Sequence, residues 1–393
     1  MRIALFSDTY PPDINGVATS TANLYRTFID HGDEVLVLTT NPTSPRKFSY
    51  EADLIRMPGM LMKHLYGYVL SNFWNRKAVR ILRNFNPDVF HIQTDGPIGQ
   101  FGFLCAKRLK VPTVYTYHTM IEDYTYYVTN DMFFDRAARA VVRGYVRFKS
   151  KEADEFITPS PKIADYMRTI GVDSYLSVVP TGIDFSRFER KNMDLDKLES
   201  LRQQYGIKKD DFVVVSLGRV AKEKSIDLTI DGFGRYLEKY PNNNVKFLIA
   251  GGGPALPELR EKVEKLNLQD HILFTDRVEP YETQYYYHLG NCFVSASTTE
   301  TQGLTFMEGM ACSLPLLVRY DESLTGLIQN EKNGFFYFDC EEFADQLEKI
   351  RTLSEKERNA IIQNAFRTLD IYSLERFYRA VREVYVRAIK KNY

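Results

Sequence analysis

A chain of 393 residues is too long for one ordinary α/β core and suits two domains of under two hundred residues each. Its 51 basic and 51 acidic residues cancel, which removes any general attraction to nucleic acid, and its 44% hydrophobic content is enough for two cores. Cys105, Cys292, Cys312 and Cys340 form no CxxC pair and lack metal-ligand spacing, so they are expected as small core residues in a reducing compartment. No apolar run reaches the ~18 residues that a membrane span needs, and Met1 to Asp8 runs straight into a strand pattern rather than a signal peptide.

Short β-rich apolar runs alternate with longer helical patterns. In the first half the strands read Arg2–Ser7, Glu34–Thr39, Asp88–Ile92, Thr113–Tyr117, Glu155–Thr158 and Leu176–Val179. A polar, charged stretch from about Phe185 to Gln204 follows. A second series then reads Phe212–Leu217, Val245–Ala250, His271–Phe274, Cys292–Ala296 and Leu314–Val318. Strands separated by helices predict parallel sheets covered on both faces, so the expectation is α/β with two doubly wound, Rossmann-like domains. The domains are placed at residues 1–187 and 188–372. Residues 373–393 carry Leu374, Phe377, Val381, Val384 and Ile389 at helical spacing. That helix fits either domain, and packing back on the first is the expectation taken here.

Ligands of open α/β sheets sit beyond the carboxyl ends of the strands, so the loops there are the places to search. After the first strand comes Ser7-Asp8-Thr9-Tyr10-Pro11-Pro12, then Asn15-Gly16-Val17 at a helix entrance. Gly16 either lets backbone N–H groups approach a phosphate or is a plain turn glycine. No GxGxxG is present there. Gly218-Arg219 closes the strand Phe212–Leu217, and Lys224 falls where the next helix should start. Two cations beside a helix N-terminus make an anion site, against the alternative of a solvated basic pair. Gly251-Gly252-Gly253-Pro254 permits close approach of a ligand but also suits a tight turn.

The densest signal follows Cys292–Ala296, where the sequence runs from Glu300 through Gly303, Leu304 and Thr305 to Glu308 and Ala311. Gly303-Leu304-Thr305 would open a helix with backbone donors free for an anion. Glu300 would sit in the loop and Glu308 about two turns into the helix; as a bare E-x7-E spacing these could also be ordinary helix-face residues. The one DxD, Asp194 with Asp196, lies away from any strand end and is read as a helix start rather than a metal site.

Taken in order, these residues resemble the GT-B retaining glycosyltransferases of the large family, family 4, that includes sucrose synthases and bacterial lipid glycosyltransferases. The resemblance spans nearly the whole chain and implies that the two domains face across a cleft. It implies that Arg219 and Lys224 hold the diphosphate of a nucleotide-sugar donor. By the same resemblance Glu308 binds the ribose, Glu300 contacts the transferred sugar, and Gly303, Leu304 and Thr305 supply backbone donors. Gly16 matches the loop facing the phosphates, although many relatives have two glycines where this chain has Asn15-Gly16. His118, in Thr116-Tyr117-His118-Thr119-Met120, matches an active-site histidine that contacts the sugar. The implied chemistry is transfer with retention, without an enzymic nucleophile, a cofactor or a required metal.

The acceptor is read from charge and from the wording of the motifs. Residues 46–151 hold 17 basic and 8 acidic side chains, an excess of nine positive charges in a neutral chain. Met60 to Phe85 mixes Leu61, Met62, Leu65, Tyr66, Phe73 and Trp74 with Lys63, Arg76, Lys77, Arg80 and Arg83, and six basic residues fall within Asp135–Lys151. Such segments suit the headgroup zone of an anionic membrane, or they are helices packing apolar faces inward. His118 to Tyr124 and Glu300 to Thr305 look like the bacterial 1,2-diacylglycerol 3-alpha-glucosyltransferases. That resemblance implies UDP-glucose as donor, a membrane lipid as acceptor, and Glu122, Tyr124, Tyr126 and Tyr127 on the acceptor side. It also implies a cytoplasmic enzyme attached to the inner face of the cell membrane. Transfer to a soluble acceptor, or of galactose or mannose to a lipid, is the competing reading.

Overall fold

A computed structural model describes residues 1–13, 15–62, 68–118, 132–298, 303–324 and 326–392, apart from the side chains of residues 68, 132–139 and 323. The chain forms two compact units, 1–183 with 372–393, and 184–371.

The first unit contains strands β1 (Arg2–Phe6), β2 (Glu34–Thr40), β3 (Ser49–Glu51), β4 (Leu54–Met57), β5 (Gly59–Met62), β6 (Tyr68–Ser71), β7 (Val89–Ile92), β8 (Thr113–Thr116), β9 (Glu155–Thr158) and β10 (Leu176–Val178). Its helices are α1 (Gly16–Asp30), α2 (Arg76–Phe85), α3 (Pro97–Leu109), α4 (Met132–Glu152) and α5 (Pro161–Thr169). Eight strands form one sheet in the order β10-β9-β8-β7-β1-β2-β4-β3, parallel except for β3. Both faces are buried, as the apolar runs require. On one face Phe6, Leu36, Phe90, Ile92, Tyr115 and Phe156 pack with residues of α2, α3 and α5. On the other, Ile3, Leu5, Val37, Val89, Val114 and Ile157 meet α1 and the last helix of the chain.

The second unit holds β11 (Phe212–Leu217), β12 (Val245–Ala250), β13 (Ile272–Phe274), β14 (Cys292–Ser295), β15 (Leu316–Arg319) and β16 (Phe335–Tyr337) in the order β13-β12-β11-β14-β15-β16, all parallel. Helices α6 (Leu195–Gln204), α7 (Ile226–Lys239), α8 (Leu256–Lys265), α9 (Thr283–Leu289), α10 (Leu304–Ala311), α11 (Cys340–Arg351) and α12 (Glu355–Leu369) complete it. The turn Phe185–Phe188 belongs here, because the Arg187 guanidinium donates to the Pro280 carbonyl and Thr283 Oγ1, and Phe188 is buried against Tyr287.

The last helix, α13 (Leu374–Lys391), returns to the first unit and is capped by Ser373, whose side chain accepts from the Arg376 N–H. Its stripe of Phe377, Val381, Val384, Tyr385 and Ala388 is buried on the sheet, worth roughly 1.5–3 kcal/mol for each large side chain. In each sheet the winding reverses at one strand. β1 lies between β7 and β2, and β11 lies between β12 and β14, so the loops at those strand ends diverge and leave room for a ligand.

Four sequence expectations need correction. The segment from Met60 to Phe85 is not one amphipathic stretch: β5 and β6 form a hairpin, and only Arg76–Phe85 is helical. Gly59 fixes the hairpin's start, since a Cβ there would lie 2.3 Å from the Leu70 carbonyl oxygen. Strands β3, β4 and β16 were not anticipated, and Glu308 stands just past the first turn of α10 rather than two turns in. Lys224 ends a 3-10 turn, Lys222–Lys224, and α7 begins two residues later. Asp194 does cap a helix start, accepting from the Asp196 and Lys197 N–H groups. Cys105, Cys292 and Cys312 are buried, whereas Cys340 is half-buried at the start of α11.

Candidate functional site

In the second unit the exits of β11 and β12 pack against each other through glycines. Gly218 has φ +143° and Gly251 has φ +137°, and a Cβ on Gly251 would lie 1.9 Å from the Gly218 carbonyl oxygen. A Cβ on Gly253 would lie 2.1 Å from the Val220 carbonyl oxygen. The triple glycine therefore packs strand ends against one another, which is the tight-turn reading of those residues. Gly218 in turn backs onto Thr305, whose Cγ2 would be 3.9 Å from its Cβ. The exit of β11 and the entrance of α10 are thus neighbours, and Gly218-Arg219 sits beside Leu304-Thr305.

Gly303 is the N-cap of α10, with φ +75° and no side-chain cap bond, while its carbonyl accepts from Phe306 and Met307. The positive end of this helix lies next to the β11 exit, where Thr305 backs onto Gly218. Arg219 and Lys224 are both half-buried. The Arg219 guanidinium is ion-paired with Glu223, whose side chain is only 6% exposed. Glu223 had no place in the sequence reading, although the i,i+4 spacing could have suggested it. It orients the guanidinium, whose five N–H groups leave donors beyond that pair.

Glu308 is recessed on α10. The Tyr287 hydroxyl lies 2.8 Å from its Oε2 and 3.2 Å from the Thr305 carbonyl. Burial pushes the Glu308 carboxyl above its ordinary range, opposed by the charge of Arg187 and the Tyr287 hydrogen bond. Neither Tyr287 nor Arg187 was legible as a partner, because each reaches Glu308 from a separate segment. Glu300 lies outside the described residues.

In the first unit His118 follows β8. Its Nε2 lies 2.6 Å from Gln93 Oε1, so that ring N–H donates to the amide and Nδ1 keeps its lone pair. Burial pushes the imidazole down to about 4, which makes it neutral near pH 7. Beneath it on the same sheet face, His91 Nδ1 lies 2.7 Å from the Tyr385 hydroxyl and its Nε2 2.7 Å from Thr116 Oγ1. This buried ladder ties α13 to β7 and β8.

Two carboxylates that the sequence reading passed over also stand at strand ends here. Asp8, after β1, accepts from the Ile98 N–H at 3.0 Å and from Thr94 Oγ1 at 2.5 Å, which caps α3 from outside. Asp95, after β7, accepts from Tyr115, and burial raises its carboxyl to about 6. The same search of strand-end loops would have found Asp95 had it covered Gln93 to Pro97. Gly16 is the exposed first residue of α1, whose N-cap Asn15 accepts from the Ala18 N–H at 2.8 Å. Glu122, Tyr124, Tyr126 and Tyr127 lie outside the described residues. The second unit therefore gathers Arg219, Gly303, Leu304 and Thr305 beside Gly218, with Lys224 on the 3-10 turn before α7 and Glu308 on α10. In the first unit, His118 and Gly16 stand at separate strand and helix ends. Among the described residues no three His, Cys, Asp or Glu side chains are placed to hold a metal ion.

Comparison with known proteins accounts for both units. Residues 14–187 match the model for Glycosyltransferase Family 4, and residues 198–368 match that for Glycosyl transferases group 1. The alpha-monoglucosyldiacylglycerol synthase of Acholeplasma laidlawii is 35% identical over 100% of this chain and 98% of its own length. The enzyme of that name from Streptococcus pneumoniae is 32% identical over 100% of this chain and 87% of its own. Among solved structures, Anabaena HepE in complex with UDP and glucose superposes with a TM-score of 0.75 at 15% identity, covering 98% of each chain, a likeness of fold. The chain belongs to the GT-B glycosyltransferases built from these two modules, and is a glycosyl-transferring enzyme.

Proposed function

We propose that this enzyme transfers glucose from UDP-glucose to diacylglycerol, with retention, to make a membrane glycolipid. The observation that carries the reading is the full-length identity of 35% and 32% with two alpha-monoglucosyldiacylglycerol synthases. The transfer breaks the bond between the anomeric carbon and the diphosphate and forms one to the acceptor oxygen. The chief demand is then to stabilise the departing diphosphate and to position the acceptor hydroxyl. Arg219, Lys224 and the amino end of α10 supply positive charge where that leaving group would develop, so no metal is required. Glu308 accepts from the ribose hydroxyls. Neutral His118, its Nε2–H committed to Gln93, offers Nδ1 as acceptor to a sugar hydroxyl, and the family resemblance gives Glu300 a sugar-contacting role. The acceptor proton leaves with the diphosphate oxygen on the same face.

A membrane-facing role for the first unit is supported by its surface. Met60, Leu61 and Leu70 of the hairpin, then Phe73 and Trp74, are exposed beside the exposed Arg76, Lys77, Arg80 and Arg83 of α2. The helix turns Ala78, Val79 and Leu82 inward, so its basic face is free for an anionic surface. On α4 the exposed Val141 and Phe148 stand among Arg143, Arg147 and Lys151. Lys149 is not part of that face, being buried over the Phe103 ring at 4.2 Å and paired with Glu152. No helix among the described residues is long and apolar enough to cross a membrane, and peripheral attachment to the inner leaflet fits this distribution.

The test is incubation of the full chain with radiolabelled UDP-glucose and anionic vesicles that contain diacylglycerol. Labelled α-glucosyl-diacylglycerol is expected. Folded protein that hydrolyses or transfers from UDP-glucose while leaving the lipid unlabelled would defeat the acceptor assignment.

A further inference from the structure

Arg187, in the second unit, spends its Nη2 on neighbouring segments of that unit. Arg187 stands three residues after the division between the units. Its guanidinium donates to the Pro280 carbonyl and, at 2.7 Å, to Thr283 Oγ1, and lies 4.8 Å above the Phe188 ring. Phe188 is buried, meets the Tyr287 ring edge-on at 6.1 Å, and places its carbonyl 2.8 Å from His288 Nε2. Tyr287 then reaches Glu308 Oε2 at 2.8 Å and the Thr305 carbonyl at 3.2 Å. The turn Phe185–Phe188, α9 and α10 are thereby joined around one carboxylate.

We propose that Arg187 and Tyr287 are positioning residues for the donor's ribose, holding Glu308 as a fixed acceptor for both ribose hydroxyls. The inference rests on the reading of Glu308 as the ribose-binding acid. A carboxylate accepts from two hydroxyls only when ionised, since a protonated one turns one oxygen into a donor. Withdrawal from water favours the protonated form, and the Arg187 charge and the Tyr287 hydroxyl oppose it. Among the described residues the titratable groups that face Glu308 are these two and Cys312; burial pushes both the Tyr287 phenol and the Cys312 thiol well up, so both stay protonated. The phenol is thus a permanent donor. It occupies one lone pair of Oε2 and restricts the carboxylate to one orientation, while the remaining lone pairs accept from the diol.

The proposal separates from a purely structural role by selectivity. Binding of UDP and of 2′-deoxy-UDP to the full chain is measured by calorimetry for the native protein, Arg187→Gln, Tyr287→Phe and Glu308→Ala. A hydrogen bond to an ionised group predicts that the native protein prefers UDP by about tenfold or more. In Arg187→Gln, and in the nearly isosteric Tyr287→Phe, that preference falls to about threefold or less; a role confined to packing would weaken both nucleotides equally and leave the ratio unchanged. An unchanged ratio in both variants, with the preference lost in Glu308→Ala, overturns the proposal and leaves the ribose reading standing. A preference that survives Glu308→Ala overturns both. Failure of the native protein to bind UDP overturns the donor assignment and the proposal with it.

Discussion

The strand ends of the two units differ in kind. In the first, the polar groups are engaged with each other: His118 with Gln93, His91 with Tyr385 and Thr116, Asp8 with the start of α3, and Asp95 with Tyr115. They are neutral, or acids that burial pushes up. In the second, Arg219, Lys224 and the amino end of α10 present positive charge at half-buried positions. The first arrangement fixes geometry without adding positive charge. The second concentrates positive charge, with Glu223 paired to Arg219. Satisfied polar networks are suited to orienting a neutral sugar and acceptor, and a cationic pocket to holding a diphosphate.

Three changes probe this contrast. The largest effect is expected at the cationic end. Arg219→Ala should lower kcat/KM for UDP-glucose by about 10²–10³ while leaving the thermal midpoint nearly unchanged, as steady-state kinetics and calorimetric melting would show. A loss below about fivefold would mean that Glu223 already consumes the charge.

The next effect lies in the first unit and reads out as stability. Because Asp95 binds its proton more tightly in the fold, its contribution is fully present below about pH 4 and is lost as pH rises towards about 6. Asp95→Asn can still accept from Tyr115 and should remove this slope, on the order of 3 kcal/mol, in urea unfolding measured between pH 4 and 7. A native protein with no such slope would contradict the buried placement of that acid. The smallest effect is at the surface. Arg80→Ser with Arg83→Ser should weaken flotation with anionic vesicles by about 1 kcal/mol per charge and leave UDP binding unaltered. Unchanged flotation would move the membrane contact away from α2.

Much of this organisation was legible because parallel strands buried on both faces announce themselves. Phe212–Leu217, Val245–Ala250 and Glu155–Thr158 have in the structure the limits read from the sequence. The converging glycines and the start of α10 were readable for a related reason, since the backbone there tolerates no Cβ. The strands β3 to β6 were missed because each has only three or four residues and among their described side chains no two neighbours are both buried, so no continuous buried run marks them. Phe335-Phe336-Tyr337 is equally short. The partners of the site residues were hidden for another reason. Asp8 meets Ile98 across 90 positions of sequence, and His91 meets Tyr385 across 294, distances over which no local pattern carries information. Glu223 and Asp95 were within reach of the rules applied, and were overlooked.

The return of α13 has a consequence for how the protein comes into being. One face of the amino-terminal sheet is covered by Phe377, Val381, Val384 and Tyr385, residues translated after all of the second unit. The ribosome must pass the whole of the second unit before that face is sealed, and His91 waits until then for its phenol. The nascent first domain therefore carries a bare apolar surface through most of its own synthesis, while the second, contiguous from 184 to 371, completes its core earlier in the order of assembly.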